Sequence, residues 1–396
     1  MTDDRITLHD PQRAVLASPA RFKVVACGRR WGKTELGKAA VIQRLAAGDQ
    51  CVWWLAPTYQ MAGQVWRDFK RHFRRTAGTR IHNSEREIEF VQGGLLAIRS
   101  AYYPDHLRGA GLDFAVLDEA AFMLPGIWQQ IVRPMLLDKG GHALLISSPN
   151  GRNWFWEAYQ LGLSGVPDWA SFHYPSHANP LLPHDDLASI QATTVERVWR
   201  QEYLAEFVDD SGQVFRDVLA AADTQAGVYQ PGHRYVAGVD WGRENDYTAI
   251  AVLDADTAAL VALERFNHVG WETQRSRLAA VCHNWHVSLV IAEANSVGSP
   301  NIEALRQAGL PVTSFTMTSR SKTPLIDALA LAIETRQLRL LRDETLLNEL
   351  AAYTMKRSAS GQWQYSAPAG THDDTVIALA LAWQAVSTPR LRLDFA

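Results

Sequence analysis

Short apolar runs at 22–26, 52–56, 114–117 and 143–146 alternate with stretches in which apolar residues recur every three to four positions. Unbroken apolar runs of that length mark strands covered on both faces, and the spacing between them predicts amphipathic helices. The first half therefore reads as α/β with a mainly parallel sheet. Two alternating runs within 87–102 flank Gln92-Gly93-Gly94 and predict a hairpin inserted into or added to that sheet. The chain is expected to turn irregular over 173–179. Pro180, Pro183 and a helical run at 185–207 then form a small satellite unit.

Asp209-Asp210-Ser211-Gly212 breaks that run, and no regular pattern returns until Gly232. Three consecutive strands follow at 235–239, 248–254 and 260–267, then a helix, a strand at 289–292, another helix and a strand at 312–316. Helices at 324–336 and 343–355, a hairpin around Ser360-Gly361 and a helix at 374–385 close the chain. Three strands followed by α-β-α-β is the order of a ribonuclease-H-like domain.

Composition narrows the classes. The chain has 396 residues, of which 47% are hydrophobic and 20% charged, which excludes wholesale disorder or a fibrous repeat. A formal net charge of -3 leaves no global basic field, so any nucleic-acid contact rests on local patches. Cys27, Cys51 and Cys282 form no C-x-x-C pair, which suits a reducing compartment and argues against zinc. Asp3, Asp4 and Asp10 stand where a signal peptide needs a basic and then an apolar segment, so a cytosolic location is expected, without membrane insertion.

The first apolar run leads into Cys27-Gly28-Arg29-Arg30-Trp31-Gly32-Lys33-Thr34 and then a helix, which is where a phosphate loop belongs. The usual first glycine position is Cys27, so the strict pattern fails, yet the mechanism survives. Gly28 and Gly32 let backbone N–H groups wrap phosphates, Lys33 neutralises their oxygens, Thr34 holds Mg²⁺, and the helix N-terminus favours the anion. The strand at 114–117 ends in Asp118-Glu119, suited to holding Mg²⁺ through Asp118 and polarising water through Glu119 as general base. Ser148 and Asn150, in Ser147-Ser148-Pro149-Asn150, end the next strand beside the expected γ-phosphate, and Gln12 with Arg21-Phe22 can meet the adenine. Arg29, Arg30 and Arg108 are candidates for stabilising transition-state charge. Arg29 and Arg30 act in cis, while Arg108 either reaches a neighbouring subunit or makes a surface ion pair. Arg67, Lys70, Arg71, Arg74 and Arg75 form a basic stripe that suits a phosphate backbone or a solvated helix face.

In the second half, Asp240 and Glu293 end strands, Asp246 follows the loop at 241–245, and Asp373-Asp374 opens the last helix. The inferred topology brings these carboxylates to one spot. Crowded without lysine partners, they require cations between them, and hard oxygen ligands select Mg²⁺ or Mn²⁺. Two such ions suit phosphodiester hydrolysis. His372 is left outside the catalytic set.

Taken in order, these segments resemble the large subunit of tailed-phage terminases. The resemblance rests on Gly28 to Thr34, Leu55-Ala56-Pro57-Thr58, Leu107-Arg108-Gly109, Leu117-Asp118-Glu119-Ala120, Ser147-Ser148-Pro149 and Gln201-Glu202-Tyr203. Gly238-Val239-Asp240, Asp246-Tyr247-Thr248-Ala249, Glu293-Ala294-Asn295 and His372-Asp373-Asp374 complete it. The deviant phosphate loop is normal for that family. The resemblance implies a RecA-like P-loop ATPase core at 1–178, a helical lid subdomain at 179–212, an interdomain linker at 213–232 and a ribonuclease-H/resolvase-like nuclease at 233–396.

It also implies ATP-driven translocation of double-stranded DNA into a procapsid and metal-dependent cutting of concatemers. Asp240, Glu293 and Asp374 are then the principal ligands of two Mg²⁺ or Mn²⁺ ions, with Asp246 and Asp373 in support. The implied partners are DNA, the portal of the procapsid, a small terminase subunit and further copies, commonly five, in the host cytoplasm and transiently on the procapsid. A prophage or gene-transfer-agent homologue would carry the same residues. A helicase or repair nuclease would need a second RecA-like domain, which the pattern lacks. A nucleotide-binding scaffold without turnover would not need Lys33, Glu119 and Asp240 together.

Overall fold

The computed structural model describes residues 6–387 except 110, 209–210, 243–245, 296–297, 358–362 and 369. The chain divides into two units, 1–209 and 210–396. The first runs α1 (Asp10–Ala17), β1 (Phe22–Cys27), α2 (Lys33–Ala46), β2 (Cys51–Ala56), α3 (Tyr59–Phe73), β3 (Thr79–His82), β4 (Glu87–Phe90), β5 (Leu95–Ser100) and β6 (Phe114–Asp118). A π-helical turn (Ile127–Val132) then leads into α4 (Arg133–Met135), followed by β7 (His142–Ser147), α5 (Trp154–Leu163), β8 (Trp169–Tyr174), α6 (His184–Ala192) and α7 (Glu196–Glu202).

These strands form one sheet in the order β3-β4-β5-β2-β6-β7-β1-β8. All neighbours from β5 to β8 are parallel, and β3-β4-β5 is antiparallel, so the expected hairpin extends the parallel sheet at one edge. Successive residues face opposite sides. Val24, Trp53 and Leu145 enter one core, while Val25, Trp54 and Ile146 enter the other. Burial on both faces is why these strands read as unbroken apolar runs.

Three expectations are corrected in this unit. β8 occupies residues expected in part to be irregular, and β3 was not foreseen: Trp169-Ala-Ser-Phe-His-Tyr and Thr79-Arg-Ile-His are polar-mixed edge strands. The helical run at 185–207 is two helices, interrupted where the Thr193 and Thr194 hydroxyls bond back to the Ser189 and Ile190 carbonyls. It also stops at Glu202.

The second unit comprises β9 (Ser211–Gln213), α8 (Val218–Ala221), β10 (Tyr235–Asp240), β11 (Thr248–Asp254), β12 (Ala259–Phe266), α9 (Trp271–Asn284), β13 (Leu289–Glu293), α10 (Gly298–Gln307) and β14 (Val312–Phe315). It continues with α11 (Ser319–Glu334), α12 (Glu344–Ala352), β15 (Thr354–Arg357), β16 (Trp363–Ser366) and α13 (Asp374–Ser387). The main sheet is ordered β12-β11-β10-β13-β14, antiparallel among the first three and parallel from β10 onward, as the three-strand-first pattern predicts. β15 and β16 make the expected hairpin, whose turn at Ser360-Gly361 lies outside the described residues. β9 was not foreseen. Residues 214–227, expected within a linker, are tied to this unit by Val214 N to Tyr353 O, Thr224 N to Leu340 O and Gly227 N to Val261 O. Helix α11 starts before Pro324, at a capping box between Thr318 and Ser321.

Helix α13 is apolar around most of its circumference and is buried accordingly. It lies so close on β10 that a Cβ on Gly238 would stand 2.0 Å from the Ala378 carbonyl oxygen and 2.3 Å from the Ala382 nitrogen. Only glycine permits that approach, and the approach sets Asp374 beside the end of β10.

Candidate active sites

The first site forms at the carboxyl ends of β1, β6 and β7. After β1 the chain turns through a loop in which Arg30 and Gly32 take left-handed conformations, with φ of 61° and 105°, and α2 begins at Lys33. Gly32 does so without the strain a side chain would add. The loop is braced from outside: Ser176 Oγ donates to the Arg29 carbonyl at 2.6 Å and Asn179 Nδ2 to the Arg30 carbonyl at 2.8 Å. Gln12 is a further brace. Its Nε2 donates to the Gly32 carbonyl at 2.9 Å and its Oε1 accepts from the His9 N–H at 3.0 Å. The buried amide thus shapes the loop.

Lys33 is buried and its Nζ lies 3.4 Å from Glu119 Oε1. Burial alone would lower its pKa, but Glu119, with Cys27 and Asp118, outweighs that and raises it, so it is charged. Glu119 follows β6 with φ 52° and ψ 48°, a left-handed conformation uncommon for a side-chain-bearing residue and characteristic of functional sites. Its Oε2 accepts from Ser147 Oγ at 3.1 Å and from the Ser148 N–H at 3.3 Å. The serine pair therefore orients the carboxylate. Asp118 is buried with Oδ1 unpaired, and burial, followed by repulsion from Glu119, pushes its pKa up to about 7 against partial relief from Lys33. An orphaned buried carboxylate oxygen fits a divalent cation. Asn150 donates to the Ala121 carbonyl at 3.2 Å and keeps a buried, unpaired Oδ1.

The arginines differ. Arg29 is tied to Glu202 of α7, its Nε donating to Oε2 at 2.7 Å and its N–H to the Glu202 carbonyl at 2.7 Å. Gln201 Oε1 accepts from the Gly151 N–H at 3.4 Å, so one turn of α7 touches both the phosphate loop and the segment after β7. Arg30 and Arg108 are exposed, and among the described residues Arg108 makes no ion pair. The side chains of Arg67, Lys70, Arg71, Arg74 and Arg75 are exposed on and just after α3, with Lys70 bonded to Asn83 at 2.7 Å.

The second site is built at the end of β10. β10 and β13 are parallel neighbours with Val239 opposite Ala292, which sets Asp240 beside Glu293. Burial first, then Glu293, Asp374 and Asp373, holds the Asp240 carboxyl well above its usual range. Asp374 is raised to about 6 by burial and Glu349, while Arg265 and His372 pull it back. Asp246, His372 and Asp374 offer ligand atoms within 4.8 Å of one another, with His372 Nδ1 3.8 Å from each carboxylate. All five expected carboxylates therefore share one place. Charge crowded this far out of its ordinary range fits divalent cations.

Two basic residues join the cluster, and one of them, Lys322, corrects the expectation of carboxylates without lysine partners. Arg265, stacked 3.4 Å over Tyr247, reaches Asp374 at 3.4 Å and buried Glu349 at 3.1 Å. Lys322 lies 3.5 Å from Asp373. Glu349 in turn accepts from the Thr375 N–H at 3.0 Å and from its hydroxyl, pinning the first turn of α13. His372, left out of the sequence-derived set, belongs to the cluster, and its adjacency to Asp373-Asp374 was the available signal. Arg265 and Glu349 carried none, while Glu202 stood in the Gln201-Glu202-Tyr203 segment without a role assigned to it.

Comparison with known proteins follows the same division. A family model described as the terminase RNaseH-like domain matches residues 237–385. The large terminase subunit of Thermus virus P23-45 is 34% identical over an alignment of 420 positions, spanning 95% of this chain and 87% of that protein. The large terminase subunit of Escherichia phage T5 is 32% identical over 232 positions, 56% of this chain and 53% of that one. A solved large terminase from a thermophilic bacteriophage covers 96% of this chain and 99% of its own at 16% identity with a TM-score of 0.57, which bears on fold alone.

Proposed function

The chain belongs to the terminase large-subunit family, an ATPase joined to a nuclease that packages and cuts viral DNA, and from that premise we propose how its residues divide the work. ATP is the nucleotide, bound by the loop from Gly28 to Thr34. Lys33 exchanges its partner Glu119 for the β- and γ-phosphate oxygens, and Glu119, released from the ammonium but still oriented by Ser147 and Ser148, takes a proton from the attacking water. Thr34 and Asp118 hold Mg²⁺, which supplies charge neutralisation on the phosphates. Arg29 leaves Glu202 to meet the γ-phosphate in cis, and Arg108 serves a neighbouring copy. The working assembly is a ring of about five copies on a portal, an expectation carried by the family resemblance, with a small subunit selecting DNA.

In the second unit, Asp240, Glu293 and Asp374 hold two Mg²⁺ or Mn²⁺ ions, with Asp246, Asp373 and His372 around them. Those ions would supply an activated water and stabilise the leaving oxygen. The observation that supports this most directly is the meeting of five carboxylates at one place, with Arg265, Lys322 and His372 as the basic side chains described beside them. Plasmid cleavage by the full chain in Mn²⁺ tests it. Cutting should be lost with Asp240→Ala and kept with Lys33→Ala. Equal inertness of wild type and Asp240→Ala, under conditions where ATP is hydrolysed, would remove the nuclease from this reading.

A further inference from the structure

A second concentration of charge sits at the opposite edge of the first sheet, away from the nucleotide loop. Here β1, β6 and β7 begin and α2 ends, and between them lies a cavity of about 230 Å³ lined by Arg21, Lys23, Arg44 and His142. Among the described residues only Arg44 has an acidic partner, Asp49 at 2.6 Å. Arg21 donates to the carbonyls of Gly141 and Leu136 at 2.8 and 3.0 Å, and Lys23 to the Leu16 carbonyl at 3.1 Å. Neither of these two meets a described carboxylate. Arg44 also approaches His142 Nδ1 to 3.4 Å.

This arrangement is self-repelling. Burial and then Arg44 lower the pKa of Lys23. Burial, Arg44, Arg21 and Lys23 lower that of His142, with Asp49 pulling the other way. Half-buried cations without counter-charge weaken a fold unless an anion joins them. An ammonium with three N–H groups and a guanidinium with five retain donors beyond the bonds described.

We propose that this cavity is a second anion site, distinct from the nucleotide loop, and that it takes a compact tetrahedral oxyanion, inorganic phosphate. Its volume is below the roughly 300–1,000 Å³ of pockets for drug-sized ligands, which suits a small anion. Charge-assisted bonds from Lys23 and Arg44 would supply the attraction. The ATPase activity of the same unit releases this ion, so a source is at hand.

The test uses full-length Lys33→Ala protein, in which the nucleotide loop no longer competes, titrated with sodium phosphate against sodium chloride of equal ionic strength. Calorimetry and thermal unfolding are the readouts. Phosphate should bind and raise the melting temperature. Adding Lys23→Met should weaken binding at least tenfold, and Lys23→Arg should retain it. Without phosphate, Lys23→Met should match or exceed its parent in stability because a repulsion is gone. A phosphate response unchanged by Lys23→Met, or absent throughout, overturns the proposal. So does a phosphate-free loss of stability in Lys23→Met, which would make Lys23 a carbonyl cap only. A third arm measures duplex DNA: binding weakened by Lys23→Met as much as phosphate binding would make DNA the occupant and overturn the assignment to a free ion.

Discussion

Asp118→Asn should make the metal-free protein more stable at alkaline pH, although it removes a residue of the ATP site. Asp118 is buried with one oxygen unpaired, and its pKa lies at about 7 against an ordinary 3.8. The folded state therefore keeps a proton that the unfolded chain gives up, so stability is highest below the unfolded value and falls as pH rises toward the folded one. From pH 5 to pH 8 the group crosses about two units of that window, worth about 3 kcal/mol at 1.36 kcal/mol per unit. Asparagine has the same shape and no charge to bury, so its stability relative to wild type should rise by that amount over the interval. Urea unfolding of the full chain in chelator, without nucleotide, measures the difference at each pH, and hydrogen exchange at β1 and β6 amides assigns it to the first unit. Magnesium added at pH 8 should then stabilise wild type and not the variant. A difference that stays flat from pH 5 to pH 8 would refute the reasoning, because a buried carboxylate raised to about 7 must show this slope.

Glu119→Gln should bind ATP yet turn over about 10²–10⁴-fold more slowly, and unchanged turnover in a coupled phosphate-release assay would take the base assignment away. Gly238→Ala should destabilise the second unit by about 1–3 kcal/mol or more, since the new Cβ meets backbone atoms at 2.0 and 2.3 Å. Manganese binding by calorimetry should weaken with it while ATP turnover holds, and a normal melt would show that β10 and α13 can part freely. Glu202→Gln should leave stability within about 1 kcal/mol and lower the KM for ATP by releasing Arg29, whereas an unaltered KM would show that the pairing does not restrain Arg29. Arg108→Ala should cost ATPase activity chiefly in the assembled ring, and an equal loss in isolated chains would end the trans role.

Both sites were legible in the sequence to the extent that a sheet imposes them. Asp118, Ser147, Asp240 and Glu293 each end a strand that is buried through most of its length. Parallel neighbours deliver such ends to one edge, so an apolar run followed by a carboxylate is readable without any tertiary knowledge. What stayed hidden is the charge that answers those carboxylates. Arg265 meets Asp374 across 109 residues, Lys322 meets Asp373 across 51, and Arg29 meets Glu202 across 173. Each pairing depends on where an element docks, and no local period records that. The edge strands β3 and β8 escaped for a related reason: exposure of one side removes the apolar continuity by which buried strands are recognised.

The hidden partners also govern the chemistry. A carboxylate has an ordinary pKa until its surroundings set another, and here burial first, then Glu349, Arg265 and His372, decides where Asp374 titrates, as burial, then Glu119 and Lys33, does for Asp118. The cationic partners hold these sites short of full repulsion. Lys33 and Arg29 contact acids that, on the proposed division of work, they would leave for phosphates, and Arg265 and Lys322 contact carboxylates proposed as metal ligands. The apo protein thus carries its own provisional counter-ions. On the proposed reading, substrate and metal binding would be exchanges of partner rather than the filling of bare charged sites, which lowers the cost of folding before either ligand is present.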